Sequence, residues 1–319
     1  MSFITLTSDI GHQDYLVSAI KGQLLQVDPS FNIIDVSHGI SPFNHPQAAY
    51  ICRSAFKNFP PHTFHIVLVN LFDKKPERLL LAFHNDQYIL CADNGLITMI
   101  VEGKPEMVIG LSLDDSALVS ADGSGQGANA AGGPGSRTGI ESTSYGNSPL
   151  SINPAANIEP KFYGGPKNTL YCARIMAEAI NRIQNGTSIT DIGEEDIEIE
   201  VKNPLRPRIT DNFIEGQIIF IDHFENIIVN ITKDEFEQNR KGREFLISFR
   251  HGDKIEKISD HYSNVPEGEK LALFNSAGYL ELAINKGNAA GLLGLSGFTE
   301  KSQNAQNRLI YQLVKVDFF

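Results

Sequence analysis

The sequence predicts an N-terminal α/β domain with a mainly parallel sheet, followed by a smaller C-terminal β-barrel domain. Three observations predict it. Residues 3–69 alternate short apolar runs with segments of helical period, a β-α-β-α-β order that calls for crossover helices on a parallel sheet. From about residue 213 the grammar changes to short strands separated by turn signals, the pattern of a barrel or sandwich. Between them Pro204 and Pro207 break regular structure, which sets the expected domains at 1–203 and 204–319.

Phe3–Thr7 reads as the first strand. Leu16, Val17, Ile20 and Leu24 then fall at helical spacing within residues 13–27, and Pro29 closes that helix. Asn32–Val36 is a second strand, Pro46–Phe59 an alanine-rich helix opened by proline, and Thr63–Val69 a third strand. Arg78–Phe83 and Gln87–Cys91 form a hairpin about residues 84–86, and "ADNGLITMIVEG" turns into a short helix. Residues 120–166 are rich in Gly, Ser, Ala, Asn and Pro without hydrophobic period, which reads as a solvated insertion or linker, with a lid or substrate loop as the alternative. Asn168–Gln184 is helical again, stopped by Asn185–Gly186. Strands are expected at 215–221, 227–231, 243–249, 254–258, 270–275 and 279–284.

Composition narrows the function. The 319 residues carry a formal charge of −11, which argues against nucleic-acid binding through a basic face. Three scattered cysteines have no metal-ligand spacing and suit a reducing compartment. No signal-peptide pattern and no bilayer-length apolar run occurs, so a cytoplasmic protein without membrane partners is expected.

Polar residues cluster where strands end. "TSDIGHQDY" puts Ser8, Asp9 and Asp14 between the first strand and its helix, as ligands for a vicinal diol or as N-caps. No glycine fingerprint for phosphate follows. His38 and His45 in "DVSHGISPFNHPQAA" lack a third ligand at metal spacing, so ordinary loop histidines and no metal site are expected. "IFIDHFENIIVN" gathers Asp222, Phe224, Asn226 and Asn230 at a tight turn, either a plain Asx turn or a clamp for an amino-acid group. In "LFNSAGYLELAINKGNAAGLLG" the small residues allow close backbone approach to a flat ligand, or simple close packing. "HIVLVNLFDKKPER" runs from a buried strand into a charged loop at the sheet end where α/β folds bind ligands.

Taken in order, "ITLTSDIGHQDYLVSAIKGQL", "IIDVSHGISPFN", "ADNGLIT", "GQIIFIDHFENIIVNI" and "NSAGYLELAINKGNAAGLLG" resemble the S-adenosylmethionine hydroxide adenosyltransferase family, which includes fluorinases and chlorinases. The resemblance covers roughly residues 1–116 and 167–295. It implies an α/β domain plus a β-barrel, and a homotrimer binding S-adenosylmethionine between one subunit's N-terminal domain and a neighbour's C-terminal domain. The molecule enters as substrate, with no cofactor. By the same resemblance Asp9 binds the ribose hydroxyls and Phe43 lines the ribose side. Asp222 and Asn226 hold the methionine amino and carboxylate groups, Phe224 lies near the adenosine, and Ser276 meets the methionine end. Asn288, Ala289 and Ala290 meet the adenine edge.

The catalytic set departs from that pattern. Hydrolytic members orient water with an Asp–Arg–His set, their strand ending in "DPGVG" before an arginine. Here the strand ends in "NLFDK", so Asn70 replaces the carboxylate, while Arg78 keeps the neighbourhood of the arginine and Asp73 stands nearby. "TLYCAR" replaces "TFHGRD", so Tyr171 takes the histidine's place. Neutral Asn70 is no base. The expected activity is hydrolysis of S-adenosylmethionine to adenosine and methionine. The alternatives are a binding protein with weak turnover and a halogenase.

Overall fold

The computed structural model describes residues 3–73, 78–113, 167–249, 253–292, 295 and 312–319. The insertion expected at 120–166 lies outside these residues. Residues 1–113 and 168–319 cluster as one compact unit.

The N-terminal half is a six-stranded sheet built from β1 (Phe3–Ser8), β2 (Asn32–Ser37), β3 (Phe64–Leu68), β4 (Arg78–His84), β5 (Gln87–Ala92) and β6 (Met107–Ser112), in the order β2-β1-β3-β5-β4-β6. β2, β1, β3 and β5 run parallel, and β4 is antiparallel to both its neighbours. The sheet is therefore mainly parallel, as its alternating sequence predicts. Buried on both faces, β3 reads as a continuous apolar run in which only His65 is polar.

Helices α1 (Leu16–Val27), α2 (His45–Phe56), α3 (Leu96–Ile100) and α4 (Thr169–Gln184) complete this half. Asn44 caps α2 by accepting the Gln47 N–H, and Asn168 caps α4 by accepting the Tyr171 N–H. β6 departs from the sequence reading: its residues, MVIGLS, carry no alternation and follow directly on a charged turn.

The C-terminal half is an antiparallel, nearly closed barrel. It uses β7 (Arg208–Ile209), β8 (Phe213–Ile221), β9 (Ile227–Thr232), β10 (Phe245–Phe249), β11 (Asp253–Ile255), β12 (Lys270–Phe274), β13 (Tyr279–Ile284) and β14 (Leu313–Phe318). The order is β11-β10-β14-β8-β9-β13-β12, and a bridge from Ile258 to Ala272 brings the two ends together. Gly216 stands in β8 where a Cβ would lie 2.6 Å from Ile231 and 2.7 Å from Val229, so only glycine lets the strands pass this closely. Phe236, on α5 (Lys233–Arg240), plugs the barrel with no exposure. Thr232 and Glu235 start that helix with a reciprocal capping box. A final short helix, α6 (Ala289–Leu292), follows β13.

Helix α2 joins the halves. Tyr50 packs on Phe220 and Tyr279, with ring centroids 5.5 and 5.2 Å away. Its hydroxyl accepts the Asn275 amide at 3.3 Å, and Lys57 Nζ donates to the Ala277 carbonyl at 2.9 Å.

Candidate active site

The carboxyl ends of β1, β3, β5 and β6 and the start of antiparallel β4 share one edge of the sheet. Parallel α/β sheets collect ligands at this edge, because the loops that leave it diverge. Asp9 follows β1 there. Its Oδ2 accepts the Phe43 N–H at 3.1 Å and the Asn70 N–H at 3.0 Å, tying together the loops after β1, β2 and β3. Asp14, in contrast, stands one residue before the N-cap Tyr15 and accepts the Leu16 N–H at 2.8 Å. Both Phe43 and Asn70 hold a left-handed backbone, with φ of 63° and 48°. That conformation is costly for phenylalanine and persists because Asp9 pins the N–H.

Asn70 and Arg78 do not touch directly in this arrangement, because β5 lies between their strands. Its two following residues occupy the gap. Asp93 accepts Arg78 Nε at 3.2 Å and Nη2 at 3.0 Å, and Arg78 also donates to the Glu198 carbonyl. Asn94 Nδ2 donates to the carbonyls of Val69 and Asn70, each at 3.0 Å. Tyr171, on α4, donates its hydroxyl to the Leu113 carbonyl at 2.9 Å, just past β6. Asn70 and Arg78 therefore stand along one edge, bridged by Asp93 and Asn94, and Tyr171 meets the chain just past β6 at Leu113. Neither bridge stands out in the sequence, where "ADNG" reads only as a turn.

Gly95 takes φ of 83° right after them, and a Cβ there would sit 2.5 Å from the Lys202 chain. Lys202 crosses this bare position and brings its Nζ to 3.9 Å from Asp73. His45 opens α2 two residues after Phe43 and is 8% exposed. Its Nε2 is buried without a hydrogen-bond partner among the described residues, which corrects the expectation of an ordinary loop histidine. His38 is a loop histidine, in the bend after β2, and is buried between Ser8 Oγ at 2.7 Å and Asp35 Oδ1 at 3.1 Å.

The second polar cluster belongs to the barrel. Asp222 follows β8, and its Oδ1 accepts the N–H groups of Phe224 at 2.9 Å and Asn226 at 2.8 Å. Oδ2 accepts the Asn226 side-chain amide at 3.1 Å. The turn thus leaves Asn226 buried and Phe224 exposed at 73%. Ala290, at the start of α6, donates its N–H to the Glu225 carbonyl at 2.9 Å, which seats residues 288–290 on this turn. Asn288 is exposed and accepts the Gly291 N–H, while Ala289 and Ala290 are buried. Ser276 is exposed in the β12–β13 turn, which Asn275 shapes by accepting the N–H of Ala277 at 3.0 Å and of Tyr279 at 3.1 Å. Behind this turn the Tyr262 hydroxyl donates to the buried Glu281 at 2.6 Å. Burial raises the Glu281 carboxyl pKa, and Asp222 adds to the effect.

Both clusters lie along α2, since Phe43 precedes its first turn and Tyr50, about 10 Å further along the axis, touches the Asn275 turn. Among the described residues no group of three His, Cys, Asp or Glu side chains is placed to hold a metal ion. No described helix is long and apolar enough to cross a membrane.

An open α/β sheet with a polar carboxyl edge, joined to a barrel with a second polar turn, defines a class of small-molecule binding protein. Within that class the chain belongs to the S-adenosylmethionine (SAM) hydroxide adenosyltransferase family: the SAM hydroxide adenosyltransferase N-terminal domain matches residues 4–124 and its C-terminal domain matches residues 216–300. An (R)-S-adenosyl-L-methionine hydrolase of Methanocaldococcus jannaschii is 26% identical over 310 residues, covering 94% of this chain and 95% of that protein. One of Salinispora tropica is 23% identical over 297 residues, covering 92% and 94%. The fold is shared with a conserved protein of Thermotoga maritima, at a TM-score of 0.70 and 20% identity over 99% of this chain and all of the other. A conserved protein of Thermus thermophilus superposes at 0.61, with 19% identity over the whole of both chains.

Proposed function

We propose that this protein is an S-adenosyl-L-methionine hydrolase. Water attacks the ribose 5′ carbon, the carbon–sulfur bond breaks with its electron pair going to sulfur, and adenosine, methionine and a proton leave. The sulfonium is already a good leaving group, so the protein's task is in-line positioning and exclusion of bulk water. The observation that carries this reading is Asp9. Its carboxylate organises three loops at the sheet edge, at the position where the family resemblance places the ribose hydroxyls. Asp222 and Asn226 then hold the amino-acid end, with Ser276 beside it and Asn288 and Ala290 at the adenine edge. Near-full-length similarity to proteins named hydrolases adds support.

In the same reading the chain comprises domains 1–203 and 204–319, acts in the cytoplasm, and forms a homotrimer with each site shared between neighbours. Support for sharing comes from Phe43 and Phe224, 70% and 73% exposed on the single chain, where aromatic rings would rest against a partner. Light scattering that gives the mass of a monomer would remove the shared site.

A second reading is a protein that binds the substrate but turns it over weakly. Asn70 and Tyr171 favour it, since both stand where hydrolytic relatives carry titratable groups. Incubating pure protein with S-adenosylmethionine, with and without chloride, and resolving the products decides the matter. Adenosine in proportion to protein supports hydrolysis. Calorimetric binding without product replaces it with the second reading, and a 5′-chloro nucleoside would point to halogenation.

A further inference from the structure

Asp9 has one carboxylate oxygen occupied and one open. Oδ2 accepts the Phe43 and Asn70 N–H groups, and among the described residues nothing bonds Oδ1. The open oxygen binds a sugar hydroxyl only if it stands where the hydroxyl arrives, because a hydrogen bond weakens steeply with distance and angle. With Oδ2 pinned, the position of Oδ1 depends on the main chain that carries Asp9.

That main chain is held by His38. Leu6 of β1 stands opposite Asp35 of β2, but Thr7 stands opposite Ser37, so β2 carries one extra residue at this end. In an unbroken register Ser37 would face Ser8, and the bulge brings His38 level with it instead. His38 Nδ1 meets Ser8 Oγ at 2.7 Å, and the His38 carbonyl accepts the Gly11 N–H at 2.8 Å. Both ends of residues 8–11 therefore close on one residue, with Asp9 and Ile10 between them. Gly11 completes the turn with φ of 81°, a conformation that glycine adopts freely. The Ile10 N–H donates to Ser8 Oγ at 3.4 Å, which leaves the hydroxyl proton for Nδ1. On the far side of the ring, His38 Nε2 lies 3.1 Å from Asp35 Oδ1, and Asp35 Oδ2 holds Lys21 Nζ at 2.6 Å. The ring is 2% exposed and has a partner at each nitrogen, so it cannot turn without giving one up.

Building on the hydrolase reading, in which Asp9 binds the ribose, we propose that His38 is a positioning residue that sets Asp9 for sugar recognition and makes the site select ribonucleosides over deoxyribonucleosides. Neither the resemblance nor the sequence motifs assign it this role. His38 touches no substrate and acts through Ser8 and Gly11. Without its ring, residues 8–11 lose the tie at Ser8, and the chain at Asp9 pivots about the pinned Oδ2. Oδ1 then swings away from the hydroxyl it should meet. A nucleoside that lacks this hydroxyl loses nothing by the displacement. A purely structural role would weaken ribonucleosides and deoxyribonucleosides alike.

The experiment measures Kd by calorimetry for adenosine, 2′-deoxyadenosine and 3′-deoxyadenosine. Wild type should prefer adenosine to at least one deoxynucleoside by about 10- to 100-fold, the worth of a hydrogen bond to a charged group. His38→Leu should cut that preference by at least about fivefold, while the Kd of the disfavoured deoxynucleoside moves by less than about threefold. His38→Asn keeps an acceptor near the place of Nδ1 and should restore most of the preference. Ser8→Ala leaves the His38 ring in place but removes its hold on the turn, so it should match His38→Leu, and it decides the question should His38→Leu fail to fold. A preference unchanged in either folded variant overturns the assignment. If wild type binds all three nucleosides alike, Asp9 does not read the sugar, and this assignment falls while hydrolysis stands. If wild type binds no adenosine, the hydrolase reading fails and this assignment with it.

Discussion

The sheet edge and the barrel turn are both polar clusters around an aspartate, but they are assembled in opposite ways. Asp9 accepts N–H groups 34 and 61 residues away. Asp222 accepts from partners two and four residues away. The first arrangement exists only when the sheet exists, because β1, β2 and β3 must first align their ends. The second is an Asx-type turn that the local sequence can form by itself. A site built in the first way is coupled to the stability of its domain. A site built in the second way survives local damage elsewhere.

The comparison can be broken from the acid side. His65 is the second residue of β3, towards the end of the sheet opposite that edge, bonded to Thr5 Oγ1 at 2.7 Å and stacked on Phe56 with centroids 3.7 Å apart. Burial pushes its pKa down from 6.5 to about 4. The unfolded chain binds a proton below pH 6.5 that the folded chain refuses until about pH 4. Stability from this group is thus full above 6.5 and drains as the pH falls toward 4, by on the order of 3 kcal/mol. Hydrogen exchange at about pH 4.5 and about pH 7 should show the N-terminal sheet loosening first, with the barrel little changed. A His65→Leu variant that keeps the same acid slope would show that other groups carry it.

Removing the long-range anchor comes next. Asp9→Ala releases two backbone N–H groups and should cost about 2 kcal/mol, read from urea midpoints. Adenosine formation should fall by at least about 100-fold with it, since a loop set displaced by about 1 Å is enough. An Asp9→Ala protein with intact turnover would detach Asp9 from the site. Asp222→Ala should cost less, about 1 kcal/mol, because its turn is at the surface and water can replace the carboxylate. Its S-adenosylmethionine Kd should nonetheless rise about tenfold by calorimetry, with adenosine affinity unchanged. Equal losses for both ligands would remove Asp222 from the amino-acid end. The smallest effect belongs to Tyr171→Phe, which deletes one hydrogen bond to the Leu113 carbonyl and should lower stability by about 0.5–1 kcal/mol. A catalytic loss far beyond that would return Tyr171 to the reaction.

The same contrast explains what can be read in advance. Asp222, Phe224 and Asn226 stand within five residues, so their turn is visible as a motif, and β8 follows its alternation while β9 and β13 show as short, largely apolar runs between turns. The β-α-β-α-β order is equally clear, because apolar period is a local property. Less visible are β6, α5 and β14. The sequence of α5, KDEFEQNR, buries one residue only and carries no apolar stripe. Asp93 and Asn94 lie within a recognisable turn, yet their tasks become plain only beside Arg78 and Asn70. His45 is the sharpest case, since nothing in "FNHPQ" distinguishes a solvated histidine from a buried one.

By itself the sequence determined the element order, the change from α/β to barrel, and the family. These depend on residue identity and short-range spacing. Only the tertiary structure decided which groups share the sheet edge. It set β5 between Asn70 and Arg78, carried Lys202 across Gly95 toward Asp73, and buried His45 with an uncommitted nitrogen. Burial and the field of distant charges are properties of packed chain segments, and no single segment contains them.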